Sequence, residues 1–297
     1  MIAAETEVSR RAWLNITVTV AAILAIGAAV ATTQLPEIAA GGLLYPARHD
    51  SIPAPPAGCE DRDFAGDGVT LRGWYCRAPG QRRGSIIYLH GTADNRASGA
   101  GIIQRSSRKG LDVIAYDSRR HGKSDGEVCT YGYHEKEDLR RVIDTIAAGP
   151  LILFGTSLGA AVAVQEAAGD RRVTGIIGVE IFSDLRTVAT ERAPFFLTAS
   201  VIEKAIDIAE ARGAFEIDRV SPVKAAESIR VPVLLVHGAD DVDTRPAHSE
   251  RVYDALAGPK RLILVEHAGH NESLSEARTW TEIEQWIDAV LRSAGQT

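Results

Sequence analysis

The chain has 297 residues, of which 45% are hydrophobic and 24% charged, with 27 glycines and 12 prolines. These values are ordinary for a globular protein, and they exclude the collagen-like, disordered and disulfide-framework classes. With a net charge of −6, the chain lacks the excess of basic residues that is typical of nucleic-acid-binding proteins, so no nucleic-acid partner is expected. The charge is unevenly distributed, because positions 12–36 contain no charged residue.

This charge-free stretch predicts an N-terminal membrane segment over residues 1–35. As a helix, its apolar run 13–31 would be about 28 Å long, close to the apolar thickness of a bilayer. Arg10 and Arg11 precede the run, and no Lys or Arg follows until Arg48. The positive-inside rule then predicts a cytoplasmic N terminus and an extracytoplasmic main domain. We favour an uncleaved signal anchor, with residues 36–58 as a tether.

Other interpretations of the segment stay open. Ala29-Val30-Ala31 is a candidate cleavage site, so the segment could be a signal peptide whose removal leaves a secreted or periplasmic protein. The sequence around Arg10-Arg11 also resembles a twin-arginine export signal. A buried or amphipathic helix of a soluble protein is disfavoured, since no polar face recurs every three or four residues.

The three cysteines fit an exported domain. Cys59 and Cys76 flank a predicted hairpin that turns at Gly66-Asp67-Gly68. A disulfide between them is one expectation, and two unrelated buried thiols are the other. Cys129 would be left over, and the sequence has no CxxC pair that would indicate a zinc ribbon.

From residue 85 onward, short apolar runs alternate with helical stretches. Uninterrupted apolar runs suit parallel strands covered on both faces, and the alternation predicts an α/β fold with a mostly parallel, doubly wound sheet. The long, mostly helical stretch 184–230 breaks the alternation and is predicted to be a short cap insertion near the ligand-binding edge. The predicted strands are 85–89, 112–116, 151–154, 176–179, 233–236 and 262–265, and the predicted helices are 135–148, 157–168 and 277–291.

A nucleophile motif follows the predicted strand 151–154. Gly155-Thr156-Ser157-Leu158-Gly159 is a G-x-S-x-G sequence that leads from a strand into an Ala-rich helix. The glycines permit a tight turn, and the helix N terminus beneath it would favour developing negative charge. Ser157 is therefore the predicted nucleophile.

The partners of a serine nucleophile follow in the required order, acid and then histidine. A hydroxyl needs an adjacent base, and neutral imidazole suits that role, with a carboxylate to fix its tautomer. We predict His270 as the base, because it lies in a loop past the last strand, whereas His267 lies at the strand end where burial is expected. A metal site on these two histidines is rejected for want of further ligands nearby. The rival acids are Asp240, Asp241 and Asp243.

These motifs resemble the serine hydrolases of the α/β-hydrolase superfamily, and the likeness defines a predicted hydrolase domain over 59–297. The segments Leu89-His90-Gly91-Thr92 and 116–124 also match. The anchor, the Leu44-Tyr45-Pro46 segment and the short cap are similar to membrane-anchored hydrolases of the serine aminopeptidase-like subgroup. One departure is Ser118-Arg119-Arg120, where many members have Arg-Gly.

The resemblance implies further roles. The family pattern H-G-x-x-D favours Asp241 over Asp240 as the acid, and His237 is expected to be structural. The family's oxyanion hole implies the backbone N–H groups of Leu158 and Thr92. The expected reaction is acyl transfer to water on a small-molecule or lipid-like substrate, with no metal or organic cofactor. A carboxylic ester is the first choice; a thioester of acyl-protein or acyl-CoA type, an aminopeptidase substrate, and a non-catalytic binding protein remain alternatives.

Overall fold

The computed structural model describes residues 2–295. The chain divides into a smaller unit, Met1–Leu43 with Ala193–Arg212, and a larger unit, Leu44–Arg192 with Gly213–Thr297. The strands are β1 (Cys59–Ala65), β2 (Thr70–Cys76), β3 (Gly84–Leu89), β4 (Leu111–Tyr116), β5 (Leu151–Thr156), β6 (Gly175–Val179), β7 (Val233–Gly238) and β8 (Lys260–Val265). The helices are α1 (Ile2–Leu44), α2 (Ala100–Arg108), α3 (Glu135–Ile143), α4 (Leu158–Ala167), α5 (Leu185–Glu191), α6 (Ala199–Gly213), α7 (Pro222–Ala226), α8 (Ala247–Ala255) and α9 (Ala277–Ala294).

The larger unit contains one sheet with the strand order β1-β2-β4-β3-β5-β6-β7-β8. β2 is antiparallel to both β1 and β4, and every other pair of neighbours is parallel. All six strands predicted from apolar runs are present. The predicted α/β class with a mostly parallel sheet is therefore confirmed.

Burial along the sheet follows strand position. Every residue of β3, β4, β6 and β7 is buried, as expected for parallel strands covered by helices on both faces. β8 differs from the expectation, because most of its residues are exposed or half-buried. The reason is its place at the sheet edge, where one side has no neighbouring strand.

Helix α3 is shorter than its apolar pattern suggests. It ends at Ile143, whereas the sequence predicts a helix to residue 148. The carbonyl groups of Ala147 and Ala148 instead accept hydrogen bonds from the guanidinium of Arg82, at 2.9 Å each. These carbonyls would lie in the last turn of the predicted helix, where no backbone N–H of the helix reaches them, and a tertiary contact satisfies them instead.

The predicted hairpin forms between β1 and β2, with Cys59 opposite Cys76 in the register. These two residues are joined by a disulfide, so the first of the two expectations holds. Cys129 is a buried free thiol.

The residues Ser118-Arg119-Arg120, which depart from the family pattern, lie in the loop after β4. Arg120 adopts a left-handed backbone with φ of 68°, a conformation that glycine takes without strain and other residues at a cost of about 1 kcal/mol. The turn is kept, because its side chains are firmly held. Arg119 donates to both carboxylate oxygens of Asp138, at 2.6 and 2.8 Å, and both residues are buried.

The smaller unit contains α1 and most of α6. Among the described residues, the part of α1 from Ala12 to Leu44 is long and apolar enough to cross a membrane, a criterion that a signal sequence also meets. The helix runs through Pro36, past the predicted segment end at residue 35, and Glu37 forms an ion pair with Arg212 of α6. The domain boundaries at 35 and 58 remain predictions.

The stretch 184–230 is mostly helical, as expected. It comprises α5, α6, a 3-10 turn over Ile217–Arg219, and α7. Residues 193–212 belong to the smaller unit, whereas α5 and α7 belong to the larger one. Its assignment as a cap remains a prediction.

Candidate active site

Polar residues collect at the carboxyl ends of five neighbouring strands, β3, β5, β6, β7 and β8. Parallel strands end at the same edge of a sheet, so residues distant in sequence meet there. A cavity of about 970 Å³ lies at this edge, and its lining includes Thr92, Ser157, Glu180 and His270. With Val242 and Asp243 after β7 also in the lining, five loops of the larger unit supply one concave site.

Ser157 occupies a strained turn between β5 and α4. Its φ of 48° and ψ of −111° lie outside the regions that ordinary residues adopt, a conformation that costs on the order of 1–3 kcal/mol. The Ser157 N–H donates to the Val179 carbonyl at 2.8 Å, which ties the turn to β6. The strain is thus held in place by the sheet.

Two glycines permit the turn. A Cβ on Gly155 would lie 2.3 Å from the Gly159 carbonyl carbon, and one on Gly159 would lie 2.1 Å from the Leu89 oxygen. Side chains at either position would push α4 away from the strands. The motif glycines therefore set the height of Ser157 above the sheet.

Two backbone segments adjoin Ser157. Leu158 is the first residue of α4, where an N–H has no acceptor within the helix. On the β3 side, a Cβ on Gly91 would come 3.6 Å from the Ser157 Cβ, and the next residue, Thr92, lines the same cavity. Both residues named for an oxyanion hole thus belong to segments next to Ser157.

His270 is hydrogen-bonded to Asp241. The imidazole Nδ1 lies 2.7 Å from the Asp241 Oδ2, and since a carboxylate only accepts, Nδ1 carries the hydrogen. The Asp241 Oδ1 accepts from the amides of Asp243 and Thr244, both at 2.9 Å. Burial by itself raises the pKa of Asp241, but the hydrogen bonds from His237, His270 and the Thr244 amide outweigh it. The pKa therefore lies well below its usual range, and the group is ionised at neutral pH.

The rival residues Asp240, Asp243 and His267 are all exposed. Asp240 is exposed and lies 3.8 Å from the Nδ1 of His267, whose side chain is 92% exposed. The expectation that His267 is buried at the strand end is wrong, because the chain turns outward there with φ of 59°. Asp243 is exposed and lines the cavity.

His237 supports the acid loop from below. It is fully buried, its Nε2–H donates to the Thr244 carbonyl at 2.7 Å, and its Nδ1 accepts from the Ser249 hydroxyl at 2.6 Å. Its Nε2 is also 3.2 Å from the Asp241 carboxylate. With both nitrogens engaged, His237 shapes the loop, in line with the structural role expected for it.

Sequence reasoning missed Glu180, which follows β6 directly. Its side chain is buried, and its Oε2 lies 3.6 Å from the His270 Nδ1. The carboxylate accepts from the Asn271 amide at 2.6 Å and from the Ser273 hydroxyl at 2.5 Å. The available signal was an acidic residue immediately after the buried run 176–179.

Glu180, Asp241 and His270 offer three possible metal-ligand atoms within 4.8 Å of one another. Two ligands of a tetrahedral ion, each about 2.0–2.1 Å from it, lie about 3.3 Å apart. The Nδ1–Oδ2 distance of 2.7 Å is shorter than this and suits a direct hydrogen bond. The geometry therefore favours a hydrogen-bonded acid–imidazole group.

A second serine–histidine–acid cluster adjoins the cavity, and its acid, Glu191, is one of the lining residues. The Ser183 hydroxyl is 2.9 Å from the His248 Nδ1, and the His248 Nε2 is 3.2 Å from the Glu191 carboxylate. Ser183 is fully buried, and the Arg251 guanidinium contacts both its hydroxyl and the Nδ1, at 3.1 and 2.7 Å. The cluster has the composition of a triad, but its serine is closed off from the cavity.

Comparisons with known proteins agree with this architecture. A family model for the alpha/beta hydrolase fold matches residues 84–201. The chain is 28% identical to the uncharacterized protein YqkD of Bacillus subtilis, over 71% of this chain and 72% of that protein. It is also 28% identical to the uncharacterized protein YfhR of Escherichia coli, over 86% of this chain and 89% of that protein. The structure of the Pyrococcus furiosus esterase Pf2001 superposes with a TM-score of 0.66 at 20% identity, over 84% of this chain and 98% of that one. At this identity the last likeness is one of fold.

Proposed function

The chain is a member of the α/β-hydrolase superfamily of enzymes, and on that premise we propose that it is a serine hydrolase that cleaves carboxylic esters. Ser157 is the nucleophile, His270 the general base and Asp241 the orienting acid. One observation carries the proposal: His270 is held by Asp241 at 2.7 Å and lines the same cavity as Ser157.

The tautomer of His270 gives it the role of base. Because the Nδ1–H is donated to Asp241, the lone pair of the ring is on Nε2. That nitrogen takes the proton of the Ser157 hydroxyl as its oxygen attacks the substrate carbonyl carbon. The imidazolium then returns the proton to the departing alcohol oxygen, which leaves an acyl-serine.

The second half of the reaction uses the same groups. His270 takes a proton from a water molecule, the resulting hydroxide attacks the acyl carbon, and Ser157 leaves with the proton from His270. In both tetrahedral intermediates the negative oxygen accepts from the N–H groups of Leu158 and Thr92. Loss of one such donor costs about 10²–10³-fold in kcat in other hydrolases.

The cavity supports a small or lipid-like acyl substrate. Its volume of about 970 Å³ is at the upper end of the roughly 300–1,000 Å³ of small-molecule sites. An ester is the first choice, and the thioester and aminopeptidase substrates stay as alternatives, because the one proton that His270 holds serves an alcohol, a thiol or an amine leaving group.

We propose an extracytoplasmic location for the larger unit, with α1 as a signal anchor. The long apolar helix supports this, as does the disulfide between Cys59 and Cys76, a bond that persists in oxidising compartments. Cleavage near residue 31 to give a secreted or periplasmic form is the alternative. Carbonate-washed membranes should retain the full-length protein; a soluble form that starts near residue 32 would contradict the anchor.

Covalent labelling tests the nucleophile. A fluorophosphonate probe should label the wild-type protein, and Ser157→Ala should abolish both the labelling and ester turnover, by about 10³-fold or more. Ser183→Ala is the matched control, since Ser183 also lies beside a histidine but is closed off. Labelling that survives Ser157→Ala, or is lost in Ser183→Ala, would mean that the nucleophile is misassigned.

The substrate class requires a panel of matched acyl esters, acyl thioesters and aminoacyl amides. We expect the highest kcat/KM for an ester, with all turnover lost in Ser157→Ala. A wild-type protein that neither labels nor turns over any of these compounds would refute the enzyme proposal and favour a binding protein.

A further inference from the structure

We propose that Glu180 is a positioning residue for His270, which fixes the histidine loop and places a second negative charge beside the imidazole. The inference rests on the proposed function and deepens it, because it adds the residue that follows β6 to the machinery that follows β3, β5, β7 and β8.

The first line of support is the way the Glu180 carboxylate holds the histidine loop. Its Oε2 accepts from the amide of Asn271, the residue directly after His270, at 2.6 Å. Its Oε1 accepts from the Ser273 hydroxyl at 2.5 Å. Asn271 has φ of 67°, so the chain turns sharply just where the carboxylate holds it. The imidazole can therefore shift little while these bonds persist.

The second line of support is the charge that faces the ring. Glu180 Oε2 lies 3.6 Å from the His270 Nδ1, on the same edge of the imidazole as Asp241 Oδ2 at 2.7 Å. Both carboxylates are almost fully buried, so water screens them weakly. When His270 takes a proton, its positive charge is stabilised by two carboxylates.

The backbone of Glu180 indicates that this placement is built in. Its φ of 53° is uncommon for a residue with a side chain, and its N–H donates to the Val236 carbonyl of β7 at 2.8 Å. A strained residue persists only where its surroundings determine its conformation, and such residues cluster at functional sites.

The other charged groups around the His270 imidazole are the same in every variant compared below, so they do not account for differences between the variants. His237 lies behind Asp241, and Glu272 accepts from the Gly269 amide at 2.7 Å. The remaining charged residues that line the cavity are Asp94, Glu191, Arg192 and Asp243.

Glu180→Gln tests the proposal in the full-length protein, because it removes the charge and keeps the size. We expect kcat on the best ester to fall about tenfold to a hundredfold with little change in KM. The acidic limb of the kcat/KM–pH profile should move to lower pH by about half a unit to one unit, since the imidazolium loses one stabilising charge. Glu180→Asp should restore the position of the limb in part.

Glu135→Gln is the matched control. Glu135 is also buried and also holds a loop, accepting from the amides of Thr130 and Gly132 at 2.7 Å each, but it does not line the cavity. Its variant should lower thermal stability and leave the acidic limb in place. If Glu180→Gln behaves in the same way, with kcat within twofold of wild type, Glu180 is merely structural and the proposal fails.

Two further variants separate the charge from the loop contacts. Ser273→Ala removes one loop contact and keeps both carboxylates. It should lower kcat less than Glu180→Gln does and leave the acidic limb unmoved; a moved limb would contradict the charge effect.

In an Asp241→Asn background, Glu180→Gln should lower kcat by a larger factor than it does in the wild-type protein. Equal factors would contradict a shared role of the two carboxylates at Nδ1. Both comparisons are made after the fluorophosphonate probe has labelled the wild-type protein at Ser157. Absence of that labelling would show that the proposed function fails, independently of the role of Glu180.

Discussion

Two buried polar regions of the larger unit use carboxylates in different ways. Around the loop after β4, two carboxylates each bind a guanidinium: Asp117 of the loop binds Arg96 at 2.6 Å, and Asp138 of α3 binds Arg119 of the loop at 2.6 and 2.8 Å. At the carboxyl ends of β6 and β7, the carboxylates instead face imidazoles, that of His270 and, behind Asp241, that of His237, together with several backbone amides.

The difference lies in the partner's charge. A guanidinium keeps its charge at every physiological pH, so its pairs with carboxylates are permanent. An imidazole gains and loses a proton near neutral pH, so the strength of its contact with a carboxylate changes as a proton is transferred during a reaction. The first region therefore suits a scaffold and the second suits proton transfer, and substitutions in the two should affect different observables.

The largest expected effect is on catalysis, from Asp241→Asn. The amide cannot hold the Nδ1–H tautomer as a carboxylate does, so kcat should fall about 10³-fold or more, and the weaker hydrogen bonds to the Asp243 and Thr244 amides should lower the thermal midpoint as a secondary effect. Steady-state hydrolysis of the best ester measures this. Asp240→Asn is the control and should remain within about twofold of wild type, because Asp240 is exposed. A larger loss in Asp240→Asn would reverse the choice of acid.

Asp138→Asn should have the opposite profile. It leaves the buried Arg119 without its ionic partner, which should reduce the free energy of unfolding by about 3–5 kcal/mol, with kcat of the folded enzyme nearly unchanged. Thermal unfolding in detergent and kinetics below the transition measure the two quantities. Asp63→Asn, which removes the exposed pair of Asp63 with Arg72, should leave the midpoint in place. A loss of kcat without a loss of stability in Asp138→Asn would break the distinction between the regions.

A smaller effect on the free energy of unfolding is expected when the pH is lowered. Burial lowers the pKa of His121, in the loop after β4, from 6.5 to about 4. The unfolded chain then binds a proton that the folded chain does not between about pH 6.5 and 4, so stability is fully present above this window and is lost as the pH falls through it. The loss from this group approaches about 3 kcal/mol.

The dependence of the thermal midpoint on pH measures this effect. His121→Asn should give a shallower decline than the wild-type protein over the same window. An equally steep decline would show that other groups cause it, since His90 is also buried with a lowered pKa.

Much of the fold could be predicted because its signals are local. Uninterrupted apolar runs marked the strands, and the glycines around Ser157 marked a turn whose close approach excludes a Cβ. The choice of Asp241 over Asp240 came from a family pattern, and in the structure the two carboxylates differ by burial and by the imidazole each one meets.

The features that prediction missed depend on distant contacts. Glu180 binds the amide of Asn271, 91 positions away, and nothing in its own segment indicates that partner. The exposure of β8 follows from its place at the sheet edge, which strand patterns do not reveal. Beyond the early end of α3, the carbonyl of Ala147 accepts from Arg82, which lies 65 positions away.

The sequence by itself determined the α/β class, the strands, the nucleophile turn and the charge-free N-terminal segment, because periodicity, glycine and charge act over a few neighbouring residues. Only the tertiary structure decided which acids face His270, that Cys59 bonds Cys76, and that Glu180 belongs with the site. The disulfide depends on the register of β1 with β2, and the carboxylates at His270 depend on the strand order, which brings the carboxyl ends of β6, β7 and β8 side by side although long stretches of chain separate them.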